Sequence, residues 1–245
     1  MVIFENFFDP NGGGDFLGRW GHILFGVTWI GLLYFFNVVQ VPAFAQMEPG
    51  TRSEALRKIT FRALWWVRMS ALLTFLTGVW LLIVTDQYKF EGPAGYAILI
   101  GAVLGTTMFL NVWGVIWRNQ KINIASAEAV AAGGQANPAA AKAANAAGRA
   151  SRVNFFFSIP MLFFMVFAPH YAPLYEDSSG KLAAVLIIAL VVWAVMEASA
   201  LGFIGGLDNA INKAILADHK KTMIAGFIYL AVLFFVGFEG IVGGA

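Results

Sequence analysis

The chain contains no cysteine. That absence removes disulfides, iron–sulfur ligation, thiolate metal sites and covalent c-type haem attachment through a C-x-x-C-H motif. Any cofactor has to be held by histidine, methionine or carboxylate, or simply packed. Charge is scarce as well. Only 12% of the residues are charged and 59% are hydrophobic, whereas a soluble domain is roughly 45–50% apolar and about 25% charged, so the chain belongs in lipid. The net charge of +2 is too small and too dispersed to make a nucleic-acid surface. Residues Met1–Asp15 have no Lys or Arg and carry Glu5, Asp9 and Asp15 around a Gly12-Gly13-Gly14 run, which excludes the positive n-region of a signal peptide. They read as a short interfacial or flexible leader.

Against these absences stand six apolar stretches near the 20 or so residues that cross a bilayer. They are Phe16–Val41, Phe61–Thr85, Gly95–Trp117, Val153–Ala168, Leu182–Ile204 and Thr222–Val242. They predict an all-α integral membrane protein, a bundle of about six transmembrane helices forming one domain over residues 1–245. Cytoplasmic loops retain an excess of Lys and Arg, and twelve basic residues fall in the connections after the first, third and fifth stretches, against Arg19, Lys89 and Lys181 on the other side. Both termini are therefore expected outside, in a bacterial inner membrane. The Ala-rich connection 119–152, with Gly133-Gly134 and Asn137-Pro138 breaks, reads as a cytoplasmic loop of two short helices joined by a flexible elbow.

A charge at mid-bilayer costs about 2.5–3.5 kcal/mol even on insertion scales, so intramembrane polar residues are the first place to look for function. They fall into two layers. The inner layer holds Arg68, Asn111 and Glu197, with Asn37 close by. Its plainest reading is a structural Arg68–Glu197 pair with amide support, and its sharper one a proton path or polar pocket. The outer layer holds His22, His170 and Glu239. Gly18 and Gly26 sit one helical turn on either side of His22 and would leave room for a flat macrocycle. His170 follows Pro169, and Pro160 should kink or stop that helix so that the imidazole turns inward. Two neutral imidazoles from facing helices can ligate the iron of a b-type haem; a lone helix-end histidine near the headgroups is usually an interfacial polar residue. Glu239 could pair with Arg19 or orient a ligand histidine through a hydrogen bond. His219, beside Lys220 and Lys221, reads as a solvated loop residue.

The segment Arg19-Trp20-Gly21-His22-Ile23, continued by Gly26-Val27-Thr28-Trp29-Ile30-Gly31, resembles the opening helix of the membrane-bound urate hydroxylase family, the urate oxidase N-terminal domain. Thr77-Gly78, Asn111-Val112, Asn119-Gln120, Pro160 and His170-Tyr171 extend the likeness from about Arg19 to Tyr171. The resemblance implies an integral-membrane oxidoreductase domain normally followed by a periplasmic cytochrome c that takes electrons from urate oxidation. Trp29, within the shared motif, joins the candidate cofactor-lining residues. The chain ends at Ala245 without a haem-attachment motif, so the resemblance calls for a separate cytochrome as acceptor.

Three functions follow as expectations. The first is a membrane oxidoreductase with haem b near the periplasmic face. The second is a non-catalytic subunit of a larger respiratory, oxygenase or photosynthetic complex, whose aromatic-rich helices would supply packing surface; a homo-oligomer is compatible with either. The third, a transporter, ranks last: no internal repeat is evident and Pro160 is the one interruption seen in the spans, whereas transporters show matching interruptions in two halves.

Overall fold

The computed structural model describes residues 2–4 and 6–244; Met1, Ala245 and the leader residue Glu5 lie outside the described residues. Among the described residues six helices are long and apolar enough to cross a membrane: α1 Gly13–Gln46, α2 Pro49–Val84, α3 Gly92–Ala131, α4 Ala140–His170, α5 Ser179–Ala200 and α6 His219–Val242. The protein is an all-helical, multi-pass membrane protein, and six crossings put the two ends of the chain at one end of the bundle. We call that the terminal end and the opposite one the basic end.

The first four helices are longer than their apolar cores require. At 1.5 Å per residue the 40 residues of α3 span roughly 60 Å, twice a hydrocarbon thickness of about 30 Å. The excess of α3 and α4 is the 119–152 connection. It is no separate pair of short helices, because α3 runs on to Ala131 and α4 begins at Ala140. Alanine, the best helix former, lets both spans continue into the polar region. The chain turns only at 132–139, where Gly133 takes a left-handed φ of +83°. Helix α5, by contrast, stops at Ala200: Gly202 is left-handed and the Phe203 amide bonds back to the Ala198 carbonyl, the arrangement in which glycine ends helices.

Helix α4 is the hub. Two-thirds of its apolar window (67%) is buried, against 39% or less for any other span, and it carries the fully buried Phe155, Phe157 and Phe164. Pro160 neither kinks it to a stop nor ends it, since the helix is continuous to His170. Proline removes the N–H that would bond the carbonyl four residues back, here that of Phe156. Gly226 of α6 lies against that carbonyl, so that a β-carbon on it would come 3.0 Å from the oxygen and 2.7 Å from Ile159. The helix interruption anticipated at Pro160 does not occur, and a glycine packs where the freed carbonyl lies. On the α3 side, Gly101 and Gly105 admit Met165 and Met161 of α4, the close approach that small residues permit between membrane helices.

The leader is packed in place. Phe7 and Phe8 lie 6.1 and 5.9 Å from the Trp80 ring of α2, and Trp80 Nε1 donates to the Gly14 carbonyl at 2.9 Å. Gly12 to Gly14 pass so close to the backbone at Ile3, Asn6 and Phe7 that side chains would not fit.

Candidate functional site

Helices α1 and α4 run antiparallel and meet where Ser158 Oγ and Tyr34 Oη are 3.2 Å apart and the Tyr34 and Phe155 rings pack edge to face at 4.7 Å. His22 lies twelve residues before Tyr34 and His170 twelve after Ser158, so both stand roughly 18 Å further toward the terminal end. They share a level, but not a neighbour.

His22 turns to α2. Its Nδ1 is 3.1 Å from Thr77 Oγ1, and the ring edge lies over Gly78, whose β-carbon would be 3.1 Å from His22 Cε1. The Thr77 hydroxyl has a single hydrogen, and a 2.7 Å bond to the Leu73 carbonyl uses it, so the oxygen accepts from His22. In the neutral imidazole, hydrogen on Nδ1 leaves the Nε2 lone pair free. This is the tautomer of a metal-ligating histidine, oriented by a hydrogen bond through its other nitrogen. Thr77 is the partner that sequence reasoning missed, although the Thr77-Gly78 step lay among the motifs of the resemblance.

The flanking glycines have another role. A β-carbon at Gly18 would meet Trp80 at 2.7 Å and Leu81 at 3.1 Å, and at Gly26 the nearest atom is Thr74 Cγ2 at 3.9 Å. Gly18 therefore seats α1 against α2, and its side of His22 is filled by indole rather than open to a macrocycle; only the Gly26 side has slack. Trp29, in the same stripe, is 2% exposed in the core, with its Nε1 buried and unpartnered. His170, expected to turn inward, is exposed at the end of α4, which continues past Pro160 without stopping. A ready two-histidine cradle for haem is not assembled; at His22 the structure shows an imidazole oriented by Thr77.

Arg19 and Glu239 do not pair. Arg19 Nε bonds Asp15 at 2.6 Å one turn away on α1, and Glu239 accepts from the Tyr175 hydroxyl at 2.6 Å. Burial first, and then this bond, hold the Tyr175 hydroxyl above its ordinary range. Tyr175 also packs on Phe167 and Phe238, at 5.9 and 5.7 Å, in an aromatic cluster joining α4 to α6. His219 opens α6, next to Asp218, whose carboxylate caps the helix by accepting from the Lys220 and Lys221 amides; those bonds hold the Asp218 carboxyl below its usual range.

The inner layer divides in two. Asn111 Nδ2 of α3 donates to Asn154 Oδ1 of α4 at 2.9 Å and to Glu197 Oε2 of α5 at 3.1 Å, and Asn154 Nδ2 donates to the Met108 carbonyl. Asn154 is wholly buried and is the second residue missed, one more asparagine in a phenylalanine-rich run. Arg68 is elsewhere. Its guanidinium lies 4.1 Å from the Trp117 ring centroid and 5.1 Å from that of Trp113, a cation–π stack. The anticipated Arg68–Glu197 pair fails because Asn111 and Trp113, two residues apart, point to nearly opposite faces of α3. One face meets α5 and the other meets α2.

A family model described as urate oxidase N-terminal matches residues 85–200. Over that stretch the chain is similar to the urate oxidase N-terminal family. No curated protein and no solved structure matches the chain. The matched stretch covers just under half of the chain. It takes in Asn111, Asn154, His170 and Glu197, while His22, Arg68 and Glu239 fall outside it. The matched stretch begins later than Arg19 and runs past Tyr171, through the whole of the Asn111–Asn154–Glu197 network.

Proposed function

We propose that the protein is the membrane-embedded redox subunit of a urate-hydroxylase-like system in a bacterial inner membrane, with its terminal end outside and a cytochrome c as electron acceptor. The similarity of residues 85–200 to the urate oxidase N-terminal family, within a six-helix membrane bundle, carries this reading. The redox group it calls for is haem b, which supplies one-electron chemistry when bound. His22 is the ligand best supported: with Nδ1–H held by Thr77, Nε2 is the unprotonated nitrogen of the neutral ring. His170, at the same level, exposed and one residue from the aromatic cluster, is the candidate for the second. Gly18 and Trp29 act in packing, and Arg19 and Glu239 are committed to Asp15 and Tyr175.

Oxidised and reduced visible spectra of the purified protein test this. The expected result is a b-type Soret and alpha band, lost or converted to high spin in His22→Ala and in His170→Ala and unchanged in His219→Ala. A colourless wild-type protein, or full haem retention in the double histidine variant, would refute the haem site and favour the accessory-subunit reading.

A further inference from the structure

Near the basic end, between α1, α2, α3, α4 and the turn Asn212–Leu216, lies a half-open cavity of about 320 Å³, the size of a small-ligand pocket. Four π-helical segments each contribute to its wall: Phe36, Asn37 and Gln40 from Phe35–Gln40, Thr60 from Leu56–Thr60, Ile116 from Asn111–Ile116, and Leu216 from Asn212–Leu216. π-Turns are rare and gather at functional sites, and here they widen α1, α2 and α3 around one space.

The cavity is lined with donors. Arg152 is only 7% exposed, and its Nη1 is buried with no partner. Arg149, one turn earlier, reaches the Asn212 carbonyl at 3.3 Å and the exposed Asp208 only at 3.9 Å, and its Nε is likewise buried and unpartnered. Asp218 is close enough to act on Arg152 electrostatically, but its carboxylate caps α6. Gln40 Oε1 accepts from Thr60, and Gln120 Oε1 from Asn123. Each glutamine keeps an NH2 group able to donate. A buried guanidinium without a partner is costly, and a fork of N–H donors at this site matches the oxygens of a phosphate. Phe36, Val41 and Leu64 form an apolar wall on the same cavity, suited to the organic part of a phosphate ester.

We propose that this cavity binds a phosphate group, from a lipid headgroup or a soluble phosphate, with Arg152 as its principal contact and Arg149 and Gln120 in support. The site is independent of the redox reading and lies at the opposite end of the bundle from His22.

The test is the thermal midpoint of the full chain at constant ionic strength. Two arms separate the sources: inorganic phosphate titrated against chloride in detergent, and phosphatidylglycerol compared with phosphatidylcholine in reconstituted bilayers, with retained lipid read by native mass spectrometry. We expect a rise in midpoint in at least one arm; the responding arm identifies the source. Arg152→Gln should weaken the response about tenfold or more, the size of one hydrogen bond to a charged group, with a smaller loss in Gln120→Ala and none in the exposed Arg118→Gln. If Arg152→Gln does not fold, Arg152→Lys, which keeps the charge and loses the fork, should show the weakening. Equal midpoints in phosphate and chloride and in both lipids would overturn the proposal. So would an undiminished response in the folded Arg152 variant, or stabilisation by urate with none by phosphate.

Discussion

If Asn111, and not Arg68, is the partner of Glu197, two double-mutant cycles on the same carboxylate must disagree. Asn111 Nδ2 sits 3.1 Å from Glu197 Oε2 across the α3–α5 interface, and interhelical hydrogen bonds of this kind average about 0.6 kcal/mol, up to about 1.7. Asn111→Ala combined with Glu197→Ala should show a coupling in that range. Arg68 stacks on Trp117 and Trp113, worth about 0.5–2 kcal/mol on its own, so Arg68→Ala is destabilising as a single change. Combined with Glu197→Ala it should be additive within about 0.3–0.5 kcal/mol. Reversible unfolding in mixed detergent micelles, followed by tryptophan fluorescence or circular dichroism, measures both cycles; circular dichroism is preferred for Arg68, whose neighbours are themselves tryptophans. A coupling above about 1 kcal/mol between Arg68 and Glu197, with none between Asn111 and Glu197, would refute the division of the inner layer and restore a buried ion pair.

The glycines beside His22 offer a second check. Gly18→Leu should cost about 1–3 kcal/mol by overpacking, because its β-carbon alone would already be 2.7 Å from Trp80, whereas Gly26→Ala, with nothing nearer than 3.9 Å, should be neutral within experimental error in the same unfolding assay. Topology is checked independently: a reporter fused after Ala245 should be active outside the cytoplasm and one inserted at Gly133 inside it, and the reverse pattern would invert both layers.

What could be read in the sequence follows from one dimension of the problem. A membrane helix advances a fixed 1.5 Å per residue, so length and apolarity alone give the number of spans and the depth of each polar residue, and the common level of His22 and His170 was accessible in this way. Azimuth was not. Which residues touch depends on how two helical surfaces interlock, and here small groups decide it: Gly18 brings Trp80 to α1, Gly226 brings α6 to the Phe156 carbonyl freed by Pro160, and the opposed faces of α3 send Asn111 to one neighbour and Trp113 to another. A glycine beside a histidine has the same letters whether it clears space for a macrocycle or for a tryptophan.

The same limit hid Arg149 and Arg152. In the sequence they add to the basic residues after the third span, and a charge count treats them like Lys142 or Arg118. Their difference arises because α4 is the central helix and its helical extension carries them inside the packing, where Arg152 becomes 7% exposed, and because π-turns in the neighbouring helices open a cavity beside them. A charge that orients a helix in the membrane does so from the surface, where water meets its cost. A charge enclosed by several helices has lost that water, and its conformity to the positive-inside pattern does not account for its burial. Asp218 supplies part of the balance while capping α6, and an anion in the adjoining cavity is the further partner we propose.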